Sequence, residues 1–150
     1  MGATESLSAA ERLLAIEEIK TLSARYGLGL DEYNMEKLLT AYSEDIVFDA
    51  SAFGLGSFSG HEELRGFFQH TFEVMKEQMH LFSNFIIELE GPDTASGTNY
   101  LYEDGFTHEG AQITCLCLNR DKYVRTNDGW KIAERVISPL VMPKLEGYNE

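Results

Sequence analysis

The order of two periodicities along the chain constrains its fold most strongly. Up to about Met79 apolar residues recur at helical spacing, whereas from Leu81 onward they alternate as in strands. Strands are predicted at residues 84–90, 95–104, 111–125 and 129–138. Turn-forming Gly, Pro, Asn and Asp separate them, so neighbouring strands are expected to pair antiparallel. Helices ahead of such a sheet predict an α+β protein whose helices cover one sheet face.

Three helices are predicted before the sheet. Ser8 opens a capping box, and the apolar stripe behind it predicts a first helix over residues 9–26. Gly27 and Gly29 are expected to interrupt this helix and to leave Asp31 in the joint that follows.

A second helix is expected after Asn34, and a short strand at residues 46–48 follows it. The third helix is predicted to start at a Ser59 capping box and to end near Met79. His80 then lies at a helix-to-strand junction, where its imidazole is expected to face the interior.

Length and charge bound the function. A chain of 150 residues is the size of one domain, with a core at about 8–138 and a tail at 139–150. The net charge of −13 repels phosphate backbones and anionic lipids, so neither nucleic acid nor a membrane is expected as a partner. Residues 1–8 lack the features of a signal peptide, which predicts a cytoplasmic protein.

The side chains suited to chemistry are few. Cys115 and Cys117 are expected to be buried thiols rather than a disulfide, and no metal-ligand spacing is present, so no metal is predicted. His80, Tyr26 and Asp31 are the candidate functional residues. Each can also be explained structurally, as a core histidine, a core tyrosine and a solvated turn aspartate.

The order of five short segments along the chain is informative. They are RYGLGLD at 25–31, FD at 48–49, GHEEL at 60–64, MH at 79–80 and GWKI at 129–132. This order resembles the SnoaL-like branch of the nuclear-transport-factor-like superfamily over residues 8–138. The resemblance implies a cone-shaped α+β barrel, with N-terminal helices packed in the mouth of a strongly curved antiparallel or mixed sheet.

The branch includes bile-acid dehydratase, scytalone dehydratase and hexachlorocyclohexane dehydrochlorinase, and it implies site residues here. Asp31 and His80 match the shared Asp-His dyad, Tyr26 a catalytic tyrosine, and Glu103 a second acidic residue. Whether Glu103 or the adjacent Asp104 faces the pocket stays open, because a one-residue shift reverses the face of a strand. The basic residue near the dehydrochlorinase dyad has no clear counterpart. None of this chemistry requires a cofactor.

A hydrophobic pocket is expected to complete the site. Its predicted aromatic lining residues are Tyr42, Phe48, Phe53, Phe72, Tyr100 and Tyr102. The favoured function is a cofactor-independent lyase or isomerase, of the dehydratase or cyclase type. Its substrate would be a small hydrophobic, possibly polycyclic molecule such as a steroid, terpenoid or polyketide. The alternatives are a non-catalytic ligand-binding domain and a small scaffolding subunit of a ring-hydroxylating dioxygenase.

Self-assembly is the last expectation. On the strand predicted at residues 111–125, side chains point alternately to the two faces of the sheet, so one of two sets of residues must face away from the helices. Either set contains apolar side chains. The sets are Ile113, Cys115 and Cys117, or Thr114, Leu116 and Leu118. A homodimer or homotrimer through that face is therefore predicted.

Overall fold

A computed structural model describes residues 6–149. Most of the segment used for the signal-peptide prediction, residues 1–5, lies outside this range, as does Glu150 at the end of the predicted tail. The helices are α1 (Ala9–Asp31), α2 (Met35–Leu39) and α3 (Gly60–Val74). The strands are β1 (Tyr42–Asp49), β2 (Ser57–Ser59), β3 (Met75–Leu89), β4 (Thr94–Thr107), β5 (Gln112–Thr126) and β6 (Gly129–Pro139).

All six strands belong to one mixed sheet in the order β2-β1-β6-β5-β4-β3. The long strands β3 to β6 form the predicted antiparallel meander, and β1 joins β6 in parallel. The sheet curves around the helices, which gives the cone-shaped α+β fold that the resemblance implied. The fold prediction is therefore confirmed.

The core lies between the helices and the inner, concave face of the sheet. Ile19, Leu22 and Leu30 of α1 are buried there, together with Leu64 and Phe68 of α3. Among the described residues, no helix is both long enough and apolar enough to span a membrane.

Helix α1 continues through its two glycines, so the predicted end near Tyr26 is wrong. The reason is close packing: a Cβ on Gly27 would lie 3.0 Å from Phe82 and 3.4 Å from His80. A Cβ on Gly29 would lie 2.6 Å from the backbone nitrogen of Leu38. These glycines let neighbouring elements approach the helix, and Asp31 becomes its last residue rather than part of a joint.

The third helix is shorter than predicted, and β3 is correspondingly longer. Helix α3 ends at Val74, and Met79 lies in β3. His80 is thus the sixth residue of a strand and not a junction residue. Ser59 is the N-cap but its side chain makes no capping bond, and Glu63 instead accepts a hydrogen bond from the Ser59 N–H at 2.7 Å.

The predicted tail packs against the core. Residues 140–149, the C-terminal segment, run from the end of β6 back along β5. Met75, Ile113 and Tyr148 form a second small cluster of buried apolar residues.

Candidate active site

The end of α1 and the middle of β3 bring Asp31 and His80 together. Asp31 Oδ1 lies 2.7 Å from His80 Nδ1, and Asp31 Oδ2 accepts the His80 backbone N–H at 3.1 Å. The carboxylate is therefore held by two bonds to one residue. Since an ionised carboxylate only accepts hydrogen bonds, Nδ1 carries the ring proton and the Nε2 lone pair of a neutral imidazole points elsewhere.

Glu103 lies on the other side of the imidazole. Its Oε1 is 3.6 Å from His80 Nε2, and His80 and Glu103 are directly paired across β3 and β4. Asp104 instead faces the outer side of the sheet, where Gln112 donates to it at 3.1 Å. Glu103, and not Asp104, is therefore the acidic residue that faces the cavity.

His80 faces inward because its neighbours face outward. Met79 and Leu81, the apolar residues on either side, lie on the outer face and are 38% and 55% exposed. Alternation along a strand places their imidazole neighbour on the concave face, where its side chain is only 3% exposed.

Tyr26 lies beside the dyad, and the Arg135 guanidinium lies over the Tyr26 ring. The Tyr26 ring packs edge-on near His80, with centroids 6.3 Å apart. Burial, with a contribution from Tyr42, raises the pKa of Tyr26 well above its ordinary range, and the Arg135 guanidinium offsets this only in part. The Tyr26 hydroxyl therefore keeps its proton and remains a hydrogen-bond donor.

Sequence reasoning missed Arg135. Its Cζ lies 5.5 Å from the centroid of the Tyr26 ring, within cation–π distance, and its side chain is fully buried. Its inward orientation could not be predicted because β6 contains a bulge. Tyr123 pairs with Ile132, whereas Lys122 pairs with Glu134. The extra residue reverses the alternation of β6 and turns Arg135 inward.

A largely apolar cavity opens beside these groups. Tyr26, His80 and Glu103 line it together with predicted pocket residues Phe48 and Phe53. The enclosed part of the cavity measures about 70 Å³, and the space between its walls reaches about 580 Å³ when the part that opens to solvent is included. Further lining residues that sequence reasoning did not select include Phe67, Thr71, Leu101, Ile137, Leu145 and Tyr148.

The two cysteines also line this cavity as buried free thiols. Cys115 is paired across the sheet with Glu103. Hydrogen bonding to Cys117 and burial raise the pKa of the Cys115 thiol far above its ordinary value, and Glu103 adds to the effect. A thiol in this state is a poor nucleophile, so Cys115 acts as a wall residue.

Four predicted pocket residues lie elsewhere. Tyr42 is buried behind Tyr26, with ring centroids 5.5 Å apart, and Phe72 packs against Tyr33. Tyr100 and Tyr102 are 39% and 37% exposed on the outer face. Inward-facing Leu101 and Glu103 show why: the period-two alternation of β4 excludes both tyrosines from the cavity.

The same alternation decides which set of β5 faces outward. Ile113, Cys115 and Cys117 are buried on the inner face. Thr114, Leu116 and Leu118 are therefore the outer set, directly opposite Asp104, Tyr102 and Tyr100 of β4.

The remaining histidines make structural contacts or lie at the surface. His61 Nε2 is 3.0 Å from the Tyr42 carbonyl, and His70 Nε2 is 3.1 Å from the Tyr148 carbonyl. His108 is exposed in the turn after β4. Within residues 6–149, no group of three or more His, Cys, Asp or Glu side chains is arranged to hold a metal ion.

Known proteins resemble this chain in sequence or in fold. A Mycobacterium tuberculosis (strain H37Rv) protein of uncharacterized function is 26% identical over 121 residues, which is 79% of this chain and 81% of that one. A Novosphingobium aromaticivorans structure, provisionally named an aromatic ring hydroxylase, superposes with a TM-score of 0.83 at 28% identity, covering 95% of this chain and 99% of its own. A type 2 hexachlorocyclohexane dehydrochlorinase superposes with a TM-score of 0.81 at 19% identity, covering 91% and 93%. The SnoaL-like domain matches residues 11–136, and the chain therefore belongs to the SnoaL-like domain family.

Proposed function

We propose that this protein is a cofactor-independent lyase or isomerase that acts on a small hydrophobic molecule through acid–base chemistry. The observation that carries the proposal is the place of His80, held by Asp31 on one ring nitrogen and facing Glu103 and an apolar cavity on the other side. Membership of the SnoaL-like family and the likeness in fold to a dehydrochlorinase support the same class of reaction.

His80 is the base in this proposal. Its Nε2 lone pair accepts the proton of a substrate C–H bond, while Asp31 fixes the tautomer and stabilises the imidazolium that forms. The second bond, from the His80 backbone N–H, keeps Asp31 aligned with Nδ1. Asp31 is therefore a positioning residue that acts through His80.

Glu103 supplies the acid in the dehydratase variant. As the C–H electron pair becomes a C=C bond, the bond to the leaving hydroxyl breaks, and the Glu103 carboxyl, which this variant requires in its protonated form, gives its proton to the departing oxygen. Water leaves, and imidazolium and carboxylate then lie 3.6 Å apart, so Nε2 can return its proton to Glu103. If the proton is delivered to another substrate carbon, the result is isomerisation.

Tyr26 donates a hydrogen bond in this scheme. Because its hydroxyl stays protonated, it can stabilise negative charge that develops on a substrate oxygen. Its ring faces both His80 and Phe82, so it borders the space in which the proton moves.

The substrate class follows from the walls. Aromatic and aliphatic side chains such as Phe48, Phe68, Leu101 and Ile137 surround the few polar groups, which suits a hydrophobic molecule with few oxygen atoms. A steroid, terpenoid or polyketide precursor fits this description. A substrate screen would identify the carbon skeleton of the substrate and its leaving group.

Deuterium incorporation tests the base without knowledge of the leaving group. Metal-free protein is incubated in D2O with the bicyclic ketones 1-indanone and 1-tetralone, whose protons next to the carbonyl are exchangeable. We expect protein-dependent incorporation of deuterium, measured by mass spectrometry, and its loss in His80→Ala. His108→Ala, which alters an exposed turn histidine, is the matched control and should exchange like the wild type.

Two results would contradict the proposal. One is the absence of protein-dependent exchange with either ketone, and the other is equal exchange by His80→Ala and the wild type. Saturable binding of the ketones without exchange would favour the non-catalytic binding domain instead.

We also propose that the protein assembles through the outer face of β3 to β5. Leu81 and Ile86 are 55% and 65% exposed there, beside outward-facing Tyr100, Tyr102 and Leu116. An apolar face of this kind fits a symmetric homodimer or homotrimer. The alternative of a small scaffolding subunit of a ring-hydroxylating dioxygenase predicts assembly with a different, catalytic chain instead.

Light scattering distinguishes these states. The wild type should have a dimeric or trimeric mass at micromolar concentration, and Leu81→Lys with Ile86→Lys should lower that mass to one chain. Leu14→Lys, on the exposed surface of α1, is the control and should leave the mass unchanged. A monomeric wild type would contradict self-assembly.

A further inference from the structure

Backbone hydrogen bonds hold the C-terminal segment along the first part of β5. The Leu140 N–H donates to the Leu116 carbonyl at 2.8 Å. Further on, Lys144 and Thr114 exchange two backbone hydrogen bonds of 2.8 and 2.9 Å. These contacts bring the last turn of the chain to the cavity, where Leu145 and Tyr148 become wall residues.

Gly147 and His70 hold Tyr148 in the wall. Gly147 has a φ of +90°, and a Cβ at this position would lie 2.7 Å from the Ala111 Cβ. The position thus requires glycine for both conformation and space. His70 donates from Nε2 to the Tyr148 carbonyl at 3.1 Å and packs edge-on against its ring, with centroids 5.2 Å apart.

A pair of hydroxyls results from this placement. The Tyr148 hydroxyl lies 2.6 Å from Thr71 Oγ1, each residue is 5% exposed, and both line the cavity. If Thr71 donates to Tyr148, the tyrosine proton is free to bind an acceptor. If Tyr148 donates to Thr71, the tyrosine oxygen is free to accept, and the Phe67 carbonyl at 3.4 Å takes the threonine proton.

The pair is neutral and lies close to the acid–base groups. Burial raises the pKa of Tyr148 to about 12, with smaller contributions from Glu103 and Cys115, and the bond to Thr71 acts in the opposite direction. The hydroxyls therefore offer hydrogen bonds without charge, in the same space that Glu103 borders.

We propose that the Thr71–Tyr148 hydroxyl pair is a substrate-recognition subsite that binds a hydroxyl or keto oxygen carried by the hydrophobic substrate. The inference rests on the proposed function, because it concerns the same cavity. Its hydrogen-bonding capacity lies in a largely apolar cavity, where an unpaired polar group of a ligand would be costly. A substrate with an oxygen at this place is therefore selected over one without.

The subsite combines a residue inside the SnoaL-like match with one beyond it. The match ends at residue 136, whereas Tyr148 lies twelve residues further on. The matched region supplies Thr71, and the C-terminal segment supplies Tyr148. In this proposal the segment thus adds a specificity-determining residue to the cavity.

Matched ligand pairs test the subsite by binding alone. The probes are 2-naphthol against 2-methylnaphthalene, and 1-tetralone against tetralin, with affinities measured by calorimetric titration. The wild type should prefer at least one oxygenated probe, and Tyr148→Phe and Thr71→Val should each reduce that preference by about 3- to 10-fold, as expected for one hydrogen bond. Thr71→Ser, which keeps the hydroxyl, should preserve the preference.

His80→Ala separates this inference from the proposed function. If the preference survives in His80→Ala but is lost in Tyr148→Phe, the oxygen binds at the hydroxyl pair, whether or not the protein catalyses a reaction. The inference is overturned if no oxygenated probe is preferred, or if the preference disappears only in His80→Ala. Unchanged melting temperatures of Tyr148→Phe and Thr71→Val would show that the loss is local.

Discussion

The inner face of the sheet carries two groups of ionisable side chains, and only one of them borders the cavity. Toward one end, Arg135 of β6 lies directly opposite Asp121 of β5, and both side chains are 0% exposed. Toward the other end, Glu103 of β4 and His80 of β3 border the cavity, and Asp31 of α1 bonds to His80.

The Arg135 network satisfies its carboxylate internally. Asp121 accepts from Arg135 Nε and Nη2, from the Asn99 amide and from the Tyr123 hydroxyl, all at 2.8 Å. Ser23 of α1 accepts a further bond from Arg135 at 2.7 Å, which ties the helix to the sheet. Burial alone lowers the pKa of Arg135, but Asp121 raises it well above its ordinary range and keeps the guanidinium charged.

At the cavity, only one of the two ring nitrogens of His80 has a hydrogen-bond partner among residues 6–149. Asp31 occupies Nδ1 of His80, and Nε2 looks toward Glu103 at a distance too long for a strong hydrogen bond. The two regions use the same kinds of side chain on one sheet. A buried carboxylate with all its bonds inside the fold stabilises the structure, whereas a free lone pair beside a cavity can take a substrate proton.

Removal of the Arg135 charge should have the largest effect. Arg135→Met leaves Asp121 buried without its cation, so the free energy of unfolding should fall by about 3–5 kcal/mol in urea denaturation. Arg120→Met, on the exposed face of β5, is the control and should change it by less than about 0.5 kcal/mol. Equal losses in both variants would contradict the structural role of the network.

Helix α1 belongs to both regions, since it carries Ser23 of the network and Asp31 of the site. Gly29→Ala places a Cβ against the backbone of Leu38 and should destabilise the fold by about 1–3 kcal/mol while displacing Asp31. Gly66→Ala in α3 meets nothing within 4 Å and should instead stabilise by about 0.5–1 kcal/mol. Thermal denaturation checks both signs, and stabilisation by Gly29→Ala would contradict the close packing of α1.

Tyr26→Phe should have the smallest effect. It removes one hydrogen bond to a developing oxygen charge and leaves the base in place, so deuterium incorporation should slow by about tenfold. Stability should change by less than about 1 kcal/mol, because the ring keeps its contacts with Phe68 and Phe82. A loss as large as that of His80→Ala would mean that Tyr26 takes a more direct part in proton transfer.

The fold could be predicted from the sequence because its patterns are long. The meander follows from alternating strands and turn residues, and the capping signals of Ser8 and Asn34 are those of the observed helices. The helix ends could not be predicted in the same way. Gly29 looks like a helix stop in sequence, and only the approach of Leu38 explains a glycine inside the helix.

The sequence predicted the positions of candidate residues whose types are distinctive. It did not predict which side chains of a strand face the cavity, because that depends on the alternation along the strand. Tyr26, His80 and Glu103 line one cavity, and Asp31 bonds to His80 Nδ1. Tyr100 and Tyr102 were misplaced because both alternate out of phase with Glu103. Arg135 was missed since a bulge in β6 breaks the alternation that starts at Trp130, and bulges leave no clear mark in a single sequence.

The most direct test of the account is a double-mutant cycle on the dyad. Deuterium incorporation is measured for the wild type, His80→Ala, Asp31→Asn and the double variant. Because Asp31 acts only through His80, each single substitution should slow exchange by about 10²- to 10⁴-fold, and the double variant should be little slower than the more impaired single variant. Losses that multiply in the double variant, or exchange at the wild-type rate in His80→Ala, would contradict the account.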